Sequence, residues 1–269
     1  MSTFIAESIA LPDFDMHFTS AGDGPPVLLL HGYVDSWRSW SLVLPALAKH
    51  HHCLAVDQRA HGLSRYAGKQ LNLETLADDA EFFLEAVGVH RAAVIGHSMG
   101  SVVARRLAMA RPDLVEKLVL VGTGPTLNNP VVQELEAEVR AFEAEAPEPF
   151  VRAFQESCVH DLNTVPHDFF EEQVAVSQRL SPRTWKAGAA MMLADRGLGR
   201  AGEIRCPTLV IGGRHDVVFS EAEQREVARA IPGARLALWD DCGHSPHWEQ
   251  PARFAVEVNR FLRERAAAA

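Results

Sequence analysis

Six short apolar runs, separated by amphipathic stretches, constrain the fold of this 269-residue chain more than any other feature. Each run is a few residues long, is rich in Val, Ile and Leu, and stops at Gly, Asp or His. Continuous apolar runs of this length are typical of strands that are buried on both faces of a parallel sheet. The six runs are Val27–Leu30, Cys53–Val56, Ala92–Ile95, Leu118–Val121, Leu209–Ile211 and Leu236–Trp239.

Segments with helical apolar spacing lie between these runs. They are Leu73–Val87, Gly100–Ala110, Ala222–Ala230 and Pro251–Arg265. Because strands and helices alternate, we predict an α/β fold with a mostly parallel sheet and helices on both of its faces. The opening segments Phe4–Leu11 and Asp15–Thr19 predict an antiparallel hairpin at the edge, which brings the sheet to eight strands.

The alternation of strands and helices is interrupted over residues 125–202. This stretch has no run that predicts a strand, and its apolar spacing is that of amphipathic helices broken by prolines. We therefore expect a core domain formed by residues 1–124 and 203–269, with a helical cap inserted at residues 125–202. The aromatic and Met side chains of the cap either line a pocket or pack its helices together, and the sequence is compatible with both.

Charge and hydropathy narrow the classes of function. The formal net charge is −9, the sequence pI is about 5.8, and Lys and Arg are scattered. This pattern argues against nucleic acid and anionic membranes as main partners. The N-terminus lacks a signal-peptide pattern, and no apolar run is long enough to span a bilayer, so we expect a cytoplasmic protein. The sequence does not indicate an oligomeric state.

Cysteine and histidine usage predicts neither a disulfide framework nor a metal site. The four cysteines lie far apart without a CxxC pair, which favours reduced thiols. His50–His52 are consecutive, so their side chains point in different directions and do not converge on one ion. We expect this run at a solvated helix end, and we expect no metal or organic cofactor. The cysteines are Cys53, Cys158, Cys206 and Cys242.

The segment Gly96-His97-Ser98-Met99-Gly100 joins a predicted strand to a predicted helix. A serine hydroxyl is a poor nucleophile until it is held in the open and deprotonated by a neighbour. A sharp strand-to-helix turn holds it in this way, and the glycines allow backbone to pass close by. The new helix also directs its N-terminus at the site, which favours a developing negative charge. The pattern predicts Ser98 as a nucleophile.

A second motif, His31-Gly32-Tyr33, ends another predicted strand, and here the chain resembles the α/β-hydrolase family. The resemblance implies that the backbone N–H groups of Tyr33 and Met99 form an oxyanion hole. The stretch from Asp57 to Ser64 is similar to the family's D-x-R-G-x-G-x-S segment, except that Ala60 replaces a glycine. We expect His31 to brace the loop.

Asp216 and His244 each follow a predicted strand near the C-terminus. The order Ser98, Asp216, His244 along the chain is that of the α/β-hydrolases, and the carboxyl ends of parallel strands meet at one edge of a sheet. We predict that His244 is the base and that Asp216 orients it. Asp57 is an alternative acid and Cys242 an alternative nucleophile, although nothing places that thiol at a strand-to-helix turn.

The resemblance implies hydrolysis of a small ester through an acyl-enzyme on Ser98. We expect short to medium acyl esters, with lactones and thioesters included, because the cap lacks the long apolar segment of an interfacial lipase lid. The substrate-binding residues we expect are Val34, Trp37, Trp185, Met191 and Trp248. Trp37 and Trp248 are equally compatible with a packing role.

Other functions share the fold, because a fold does not determine a reaction. Relatives that attack epoxides or haloalkanes use an aspartate where this chain has Ser98. Carbon–carbon bond hydrolases and cofactor-free haloperoxidases or perhydrolases keep the same triad, and they stay open as alternatives. A ligand receptor that has retained the triad is the alternative outside the enzymes.

Overall fold

The structure is a computed structural model that describes residues 4–66, 68 and 71–264. The strands in this part of the chain are β1 (Ile5–Ala10), β2 (Asp15–Ala21), β3 (Pro26–Leu30), β4 (His52–Val56), β5 (Ala92–His97), β6 (Val115–Val121), β7 (Thr208–Gly213) and β8 (Arg235–Trp239). They form one eight-stranded sheet in the order β1-β2-β4-β3-β5-β6-β7-β8. Strands β3 to β8 are parallel, whereas β1 and β2 are antiparallel to their neighbours. The predicted sheet and edge hairpin are confirmed.

Some α-helices of the described residues pack on the two faces of the sheet, and others belong to the segment between β6 and β7. The α-helices are α1 (Leu44–Leu47), α2 (Leu73–Ala86), α3 (Met99–Ala110), α4 (Pro130–Val139), α5 (Glu148–Ser157), α6 (His167–Gln178), α7 (Pro182–Leu193), α8 (Glu221–Ala230), α9 (Pro246–Glu249) and α10 (Pro251–Arg263). Arg265, the last residue of the final predicted helix, lies outside the described residues. Helices α4 to α7 lie between β6 and β7, in the segment where we expect the cap.

Both faces of the sheet are buried, which is why its strands are apolar without alternation. Along β3, Leu28 and Leu30 belong to the core under α2, α3 and α8. Val27 and Leu29 belong to the opposite core under α1 and α10. Successive side chains of a strand point to opposite faces, so a strand covered on both sides needs apolar residues at every position. The predicted helices on both faces are confirmed.

The prolines of the cap mark the beginnings of its helices. Pro182 is the first residue of α7, and Pro149 lies in the first turn of α5. Pro147 and Pro166 are the N-cap residues of α5 and α6. Proline suits these positions because a helix leaves its first N–H groups unpaired in any case.

The histidine run differs from its expected solvated helix end. His51 is buried, and His52 is the first residue of β4, where its ring is 2.9 Å from the hydroxyl of Ser20. Strand β4 therefore begins one residue before the apolar run Cys53–Val56 that predicted it, at His52, whose side chain is only partly buried. All four cysteines are free thiols.

The described residues contain neither a candidate metal site nor a helix that could span a membrane. No helix in the described ranges is long and apolar enough to cross a membrane. Residues 4–66, 68 and 71–264 likewise contain no group of three His, Cys, Asp or Glu side chains that could hold a metal ion.

Candidate active site

Ser98 lies at a sharp turn between β5 and α3, with φ 50° and ψ −117°. Such backbone angles cost a non-glycine residue roughly 1–3 kcal/mol, so the surrounding structure must hold them. A Cβ on Gly96 would lie 2.2 Å from the carbonyl oxygen of Gly100. A Cβ on Gly100 would lie 2.3 Å from the carbonyl oxygen of Leu30. Both glycines are therefore required for the close packing of this turn.

His244 and Asp216 form a buried hydrogen-bonded pair. The distance between His244 Nδ1 and Asp216 Oδ2 is 2.9 Å. The other carboxylate oxygen of Asp216 accepts the backbone N–H groups of Val218 (2.8 Å) and Phe219 (3.0 Å). A carboxylate held at three points fixes the orientation of the imidazole, because a tilted ring would lose the bond at Nδ1.

Ser98 and His244 line the same cavity. In the described part of the chain no hydrogen bond joins the Ser98 hydroxyl to the imidazole, and such bonds often tighten only when substrate binds. The backbone of His244 is held separately, because the ring of His97 donates from Nε2 to the His244 carbonyl oxygen at 3.0 Å. Burial lowers the pKa of His97 well below its usual value, so this ring is a neutral support.

Gly122 makes room for His244 at the end of β6. A Cβ at this position would lie 2.5 Å from the carbonyl oxygen of His244 and 3.0 Å from its Nδ1. The residue has φ 51°, which glycine adopts without strain. The residues after β6 are Gly122-Thr123-Gly124, so no carboxylate follows this strand directly. A side chain at position 122 would collide with His244, because the imidazole occupies the adjacent space.

The loop of residues 32–35, which we call the oxyanion loop, passes beside Ser98. Gly32, Tyr33 and Asp35 line the cavity that Ser98 lines. The backbone amides of Tyr33 and Met99 donate to no protein group among the described residues. Unpaired N–H groups next to a nucleophile are the donors that a tetrahedral oxyanion requires.

The cavity that contains Ser98 lies between the core and the cap and has a volume of about 80 Å³. Most of its lining is apolar, and the polar side chains Asp35, His97, Gln155 and Ser157 contribute to it as well. Burial raises the pKa of Asp35 to about 7. The apolar lining residues are Leu127, Val131, Val132, Leu135, Phe154, Cys158, Met192, Val218 and Trp248.

Of the side chains we expected to bind substrate, Trp248 lies in the cavity wall. Its indole N–H is bonded to Ser39, so the ring is fixed. The other four are not among the residues that line this cavity, and for them the expectation needs correction. These four are Val34, Trp37, Trp185 and Met191.

The positions of these four residues have simple physical causes. Trp185 is fully buried among the rings of the cap and of Tyr33. Met191 is adjacent to Met192 on α7, and successive helical residues point about 100° apart. Trp37 borders a separate surface depression beside Asp57. Val34 is buried beneath the cap, to which its carbonyl is bonded.

The two alternatives to the triad have other surroundings. Asp57 accepts the backbone N–H of Trp37 and that of Leu63, each at 2.8 Å, so it braces two loops. Cys242 is fully buried, and burial raises the pKa of its thiol far above the usual value. Neither of them lines the cavity that contains Ser98. His31 bridges Gly32 O and Gln58 N, as expected of a brace.

Sequence reasoning missed Asp35, His97 and Gln155. His97 lies within the serine motif, and Asp35 lies two residues after the His31-Gly32-Tyr33 motif, but the chemical argument concerned their neighbours. Gln155 lies in the cap, 120 residues from Asp35, and no local pattern links the two.

The chain is similar to known proteins in sequence and in fold. A sequence model of the alpha/beta hydrolase fold matches residues 25–251. The chain is 34% identical to 2-hydroxymuconate semialdehyde hydrolase of Pseudomonas sp. (strain CF600), over 93% of this chain and 90% of that protein. It is 26% identical to a pimeloyl-[acyl-carrier protein] methyl ester esterase of Nitrosospira multiformis, over 92% and 98% of the two chains. A thermophilic esterase from Thermogutta terrifontis has a similar structure, with TM-score 0.84, 25% identity and 98% coverage of both chains.

Proposed function

This chain belongs to the α/β-hydrolase fold family, and from that premise we propose that it is a serine hydrolase of carboxylic esters and lactones. The observation that supports this most is the Asp216–His244 hydrogen bond beside a serine in a strained turn. Both His244 and Ser98 line one cavity with an apolar majority. An apolar pocket with a few polar groups suits a small, mainly hydrophobic ester.

In the proposed reaction, His244 Nε2 takes the proton of Ser98 while the serine oxygen attacks the acyl carbon. The carbonyl electron pair moves onto oxygen, and the amides of Tyr33 and Met99 stabilise the resulting oxyanion. The C–O bond to the alcohol then breaks, and His244 returns its proton to the leaving alkoxide. Asp216 stabilises the imidazolium through Nδ1 in both steps.

Water completes the cycle by the same route. His244 removes a proton from water, the hydroxide attacks the acyl carbon, and the proton passes to Ser98 as the ester bond to the enzyme breaks. The products are a carboxylic acid and an alcohol, or a hydroxy acid when the substrate is a lactone.

Carbon–carbon bond hydrolysis is the second candidate, because the relative at 34% identity is named 2-hydroxymuconate semialdehyde hydrolase. 2-Hydroxymuconate semialdehyde bears a carboxylate, which a buried site must neutralise. The residues of the described chain that line the cavity include no Arg or Lys, and they include the acid Asp35. This charge pattern favours a neutral ester over a carboxylate substrate.

The test is a substrate panel under steady-state conditions. It compares p-nitrophenyl acetate, butyrate and octanoate, a simple lactone and 2-hydroxymuconate semialdehyde, with Ser98→Ala as the blank. We expect the largest kcat/KM on an ester or lactone and a burst of p-nitrophenol in the first turnover. We expect Ser98→Ala to lose the burst and to lower kcat by about 10⁴-fold or more.

Three results would contradict the proposal. A larger kcat/KM on the semialdehyde than on every ester would favour carbon–carbon cleavage. A burst that persists in Ser98→Ala would exclude Ser98 as the nucleophile. Single turnover followed by a ligand-stabilised, inactive protein would favour a receptor.

A further inference from the structure

Three consecutive residues of the oxyanion loop are each bonded to a different helix of the cap. The bonds are Tyr33 Oη to the Trp185 carbonyl of α7 (2.5 Å), Ser177 Oγ of α6 to the Val34 carbonyl (2.9 Å), and Gln155 Nε2 of α5 to Asp35 Oδ1 (3.4 Å). All of these groups are buried. The loop that carries one predicted oxyanion amide therefore shares three hydrogen bonds with the cap.

Ser177 and Gln155 form one continuous chain of bonds. The single hydroxyl hydrogen of Ser177 is donated to the carbonyl of Val34, so its oxygen can only accept from other groups. The atom that faces it at 2.8 Å must therefore be a donor, which identifies it as Gln155 Nε2. Both side chains are fully buried, and Ser177 also lies outside the cavity, so water cannot replace the partners of the Ser177 hydroxyl.

Val34 is the strained residue of this loop. Its φ of 57° is unfavourable for a β-branched side chain, and a conformation of this kind persists only when its surroundings hold it. The bond from Ser177 is made to the carbonyl of this same residue. The preceding residue, Tyr33, supplies the amide that we assign to the oxyanion hole.

We propose that Ser177 and Gln155 are positioning residues that hold the oxyanion loop, so that the cap completes the oxyanion hole. They act on the reaction through Val34 and Asp35 and touch no reacting atom. The kinetic part of this proposal rests on the proposed ester hydrolysis. The structural part, that the two side chains hold residues 33–35, does not depend on it.

The positioning role predicts a particular kinetic signature. Ser177→Ala and Gln155→Leu should lower kcat by about 10- to 100-fold, because a shift of the donor by a fraction of an ångström weakens the bond to the oxyanion. KM of Ser177→Ala should change by less than about threefold, since Ser177 does not line the cavity; Gln155 does line it, so the KM criterion applies to Ser177→Ala alone. A boronic acid that forms a tetrahedral anion on Ser98 should lose affinity in parallel with kcat, whereas the carboxylic acid product should not.

Ser181→Ala is the matched control. Ser181 is the N-terminal capping residue of α7, and its hydroxyl accepts the backbone N–H of Thr184. Ser181→Ala therefore destabilises a helix of the cap by the same chemical change, serine to alanine, as Ser177→Ala. In the described part of the chain Ser181 makes no hydrogen bond with the oxyanion loop. Tyr33→Phe provides a second test with little risk to folding, because it removes only the hydroxyl that bonds the Trp185 carbonyl.

Hydrogen exchange measures the structural part without reference to turnover. Exchange is measured at Trp37 and Ser39, just after the loop, because their N–H groups are hydrogen-bonded. These two amides should exchange at least about tenfold faster in Ser177→Ala and in Gln155→Leu, and at the wild-type rate in Ser181→Ala. Unchanged exchange would overturn the proposal, as would an equal kcat loss in Ser181→Ala or, in Ser177→Ala, a loss confined to KM. If the wild-type protein shows no Ser98-dependent hydrolysis, the proposed function fails, and exchange alone decides whether the loop is held.

Discussion

Asp216 and Asp57 are buried carboxylates that each follow a strand. Because their hydrogen-bond partners differ, we expect their substitutions to have different effects. Asp216 bonds His244, whereas Asp57 bonds only the backbone of two loops among the described residues. We expect Asp216→Asn to lower kcat by about 10⁴-fold, because the amide favours the wrong imidazole tautomer. Steady-state kinetics on the best ester measures this loss.

Asp57→Asn should show the opposite profile. The amide nitrogen of Asn would face one of the two backbone N–H groups that Asp57 accepts, so we expect about 1–3 kcal/mol less stability in urea. Its kcat should stay within about threefold of the wild-type value. Equal kcat losses in the two variants would contradict the assignment of Asp216 as the acid.

Asp35 should make stability depend on pH. Burial raises its pKa from 3.8 to about 7, while Gln155, the positive charge of His244, Ser39 and the Gly32 backbone oppose the rise. The folded protein thus keeps the proton at pH values where the unfolded chain has lost it. The contribution of Asp35 to stability is therefore fully present below about pH 4 and is lost as the pH rises to about 7.

The test compares wild type with Asp35→Asn in urea at pH 5 and pH 8. Any loss of hydrogen bonds in the variant is common to both pH values and cancels in the difference. We expect the variant to gain about 2–3 kcal/mol relative to wild type between the two, since each pKa unit corresponds to about 1.4 kcal/mol. A difference that does not change with pH would show that Asp35 is ionised in the folded protein.

At the scale of elements, the backbone between β4 and α2 adopts a left-handed conformation at Ala60, the position where the similar family segment has a glycine. Ala60 has φ 67°, a left-handed conformation that costs an L-residue roughly 1–2 kcal/mol. We expect Ala60→Gly to stabilise the protein by about 0.5–1 kcal/mol, after the added freedom of the unfolded chain is subtracted. Urea denaturation measures the change.

Ala137→Gly is the control of opposite sign. Ala137 lies exposed in α4, where glycine should destabilise by about 0.5–1 kcal/mol. If both variants were destabilised, the left-handed turn at Ala60 would not be strained. Neither substitution touches the cavity, so kcat should change little in either.

Elements with a single strong local signal were predictable. Each buried strand is a continuous apolar run, and Ser98, Asp216 and His244 were placed together because parallel strands bring their carboxyl ends to one edge. The cap allowed no such argument. Its helices are amphipathic, but the sequence does not show which side of each helix packs against the core. A rotation of α7 by one residue would bring Met191 instead of Met192 to the cavity.

Long-range polar contacts were beyond sequence reasoning for a related reason. Gln155 and Ser177 meet the oxyanion loop 120 and 143 residues away along the chain. A buried polar residue on a helix has the same local pattern whether it meets a loop, water or another helix. Only the packed structure shows that three helices of the cap converge on residues 33–35.

At the scale of the whole molecule, the cap limits what the site can hold. The cavity of about 80 Å³ is far below the roughly 300–1,000 Å³ of pockets for drug-sized ligands. A long acyl chain would have to displace the cap, and displacement would break the bonds that hold the oxyanion loop. If the proposed oxyanion hole is correct, the same cap contacts affect both the length of the acyl chain and the oxyanion amide, and we expect short acyl groups to be turned over fastest.

Enlarging the cavity without displacing the cap tests this coupling. Met192 lines the cavity and its neighbour Met191 does not, although both are buried. Met192→Ala should shift the best p-nitrophenyl ester from acetate or butyrate towards hexanoate or octanoate. Met191→Ala should keep the wild-type order of substrates, while both lose about 2–5 kcal/mol of stability. Because the two deletions remove the same side chain from the same helix, an identical shift in both would show that a loosened cap, and not cavity volume, sets the chain length.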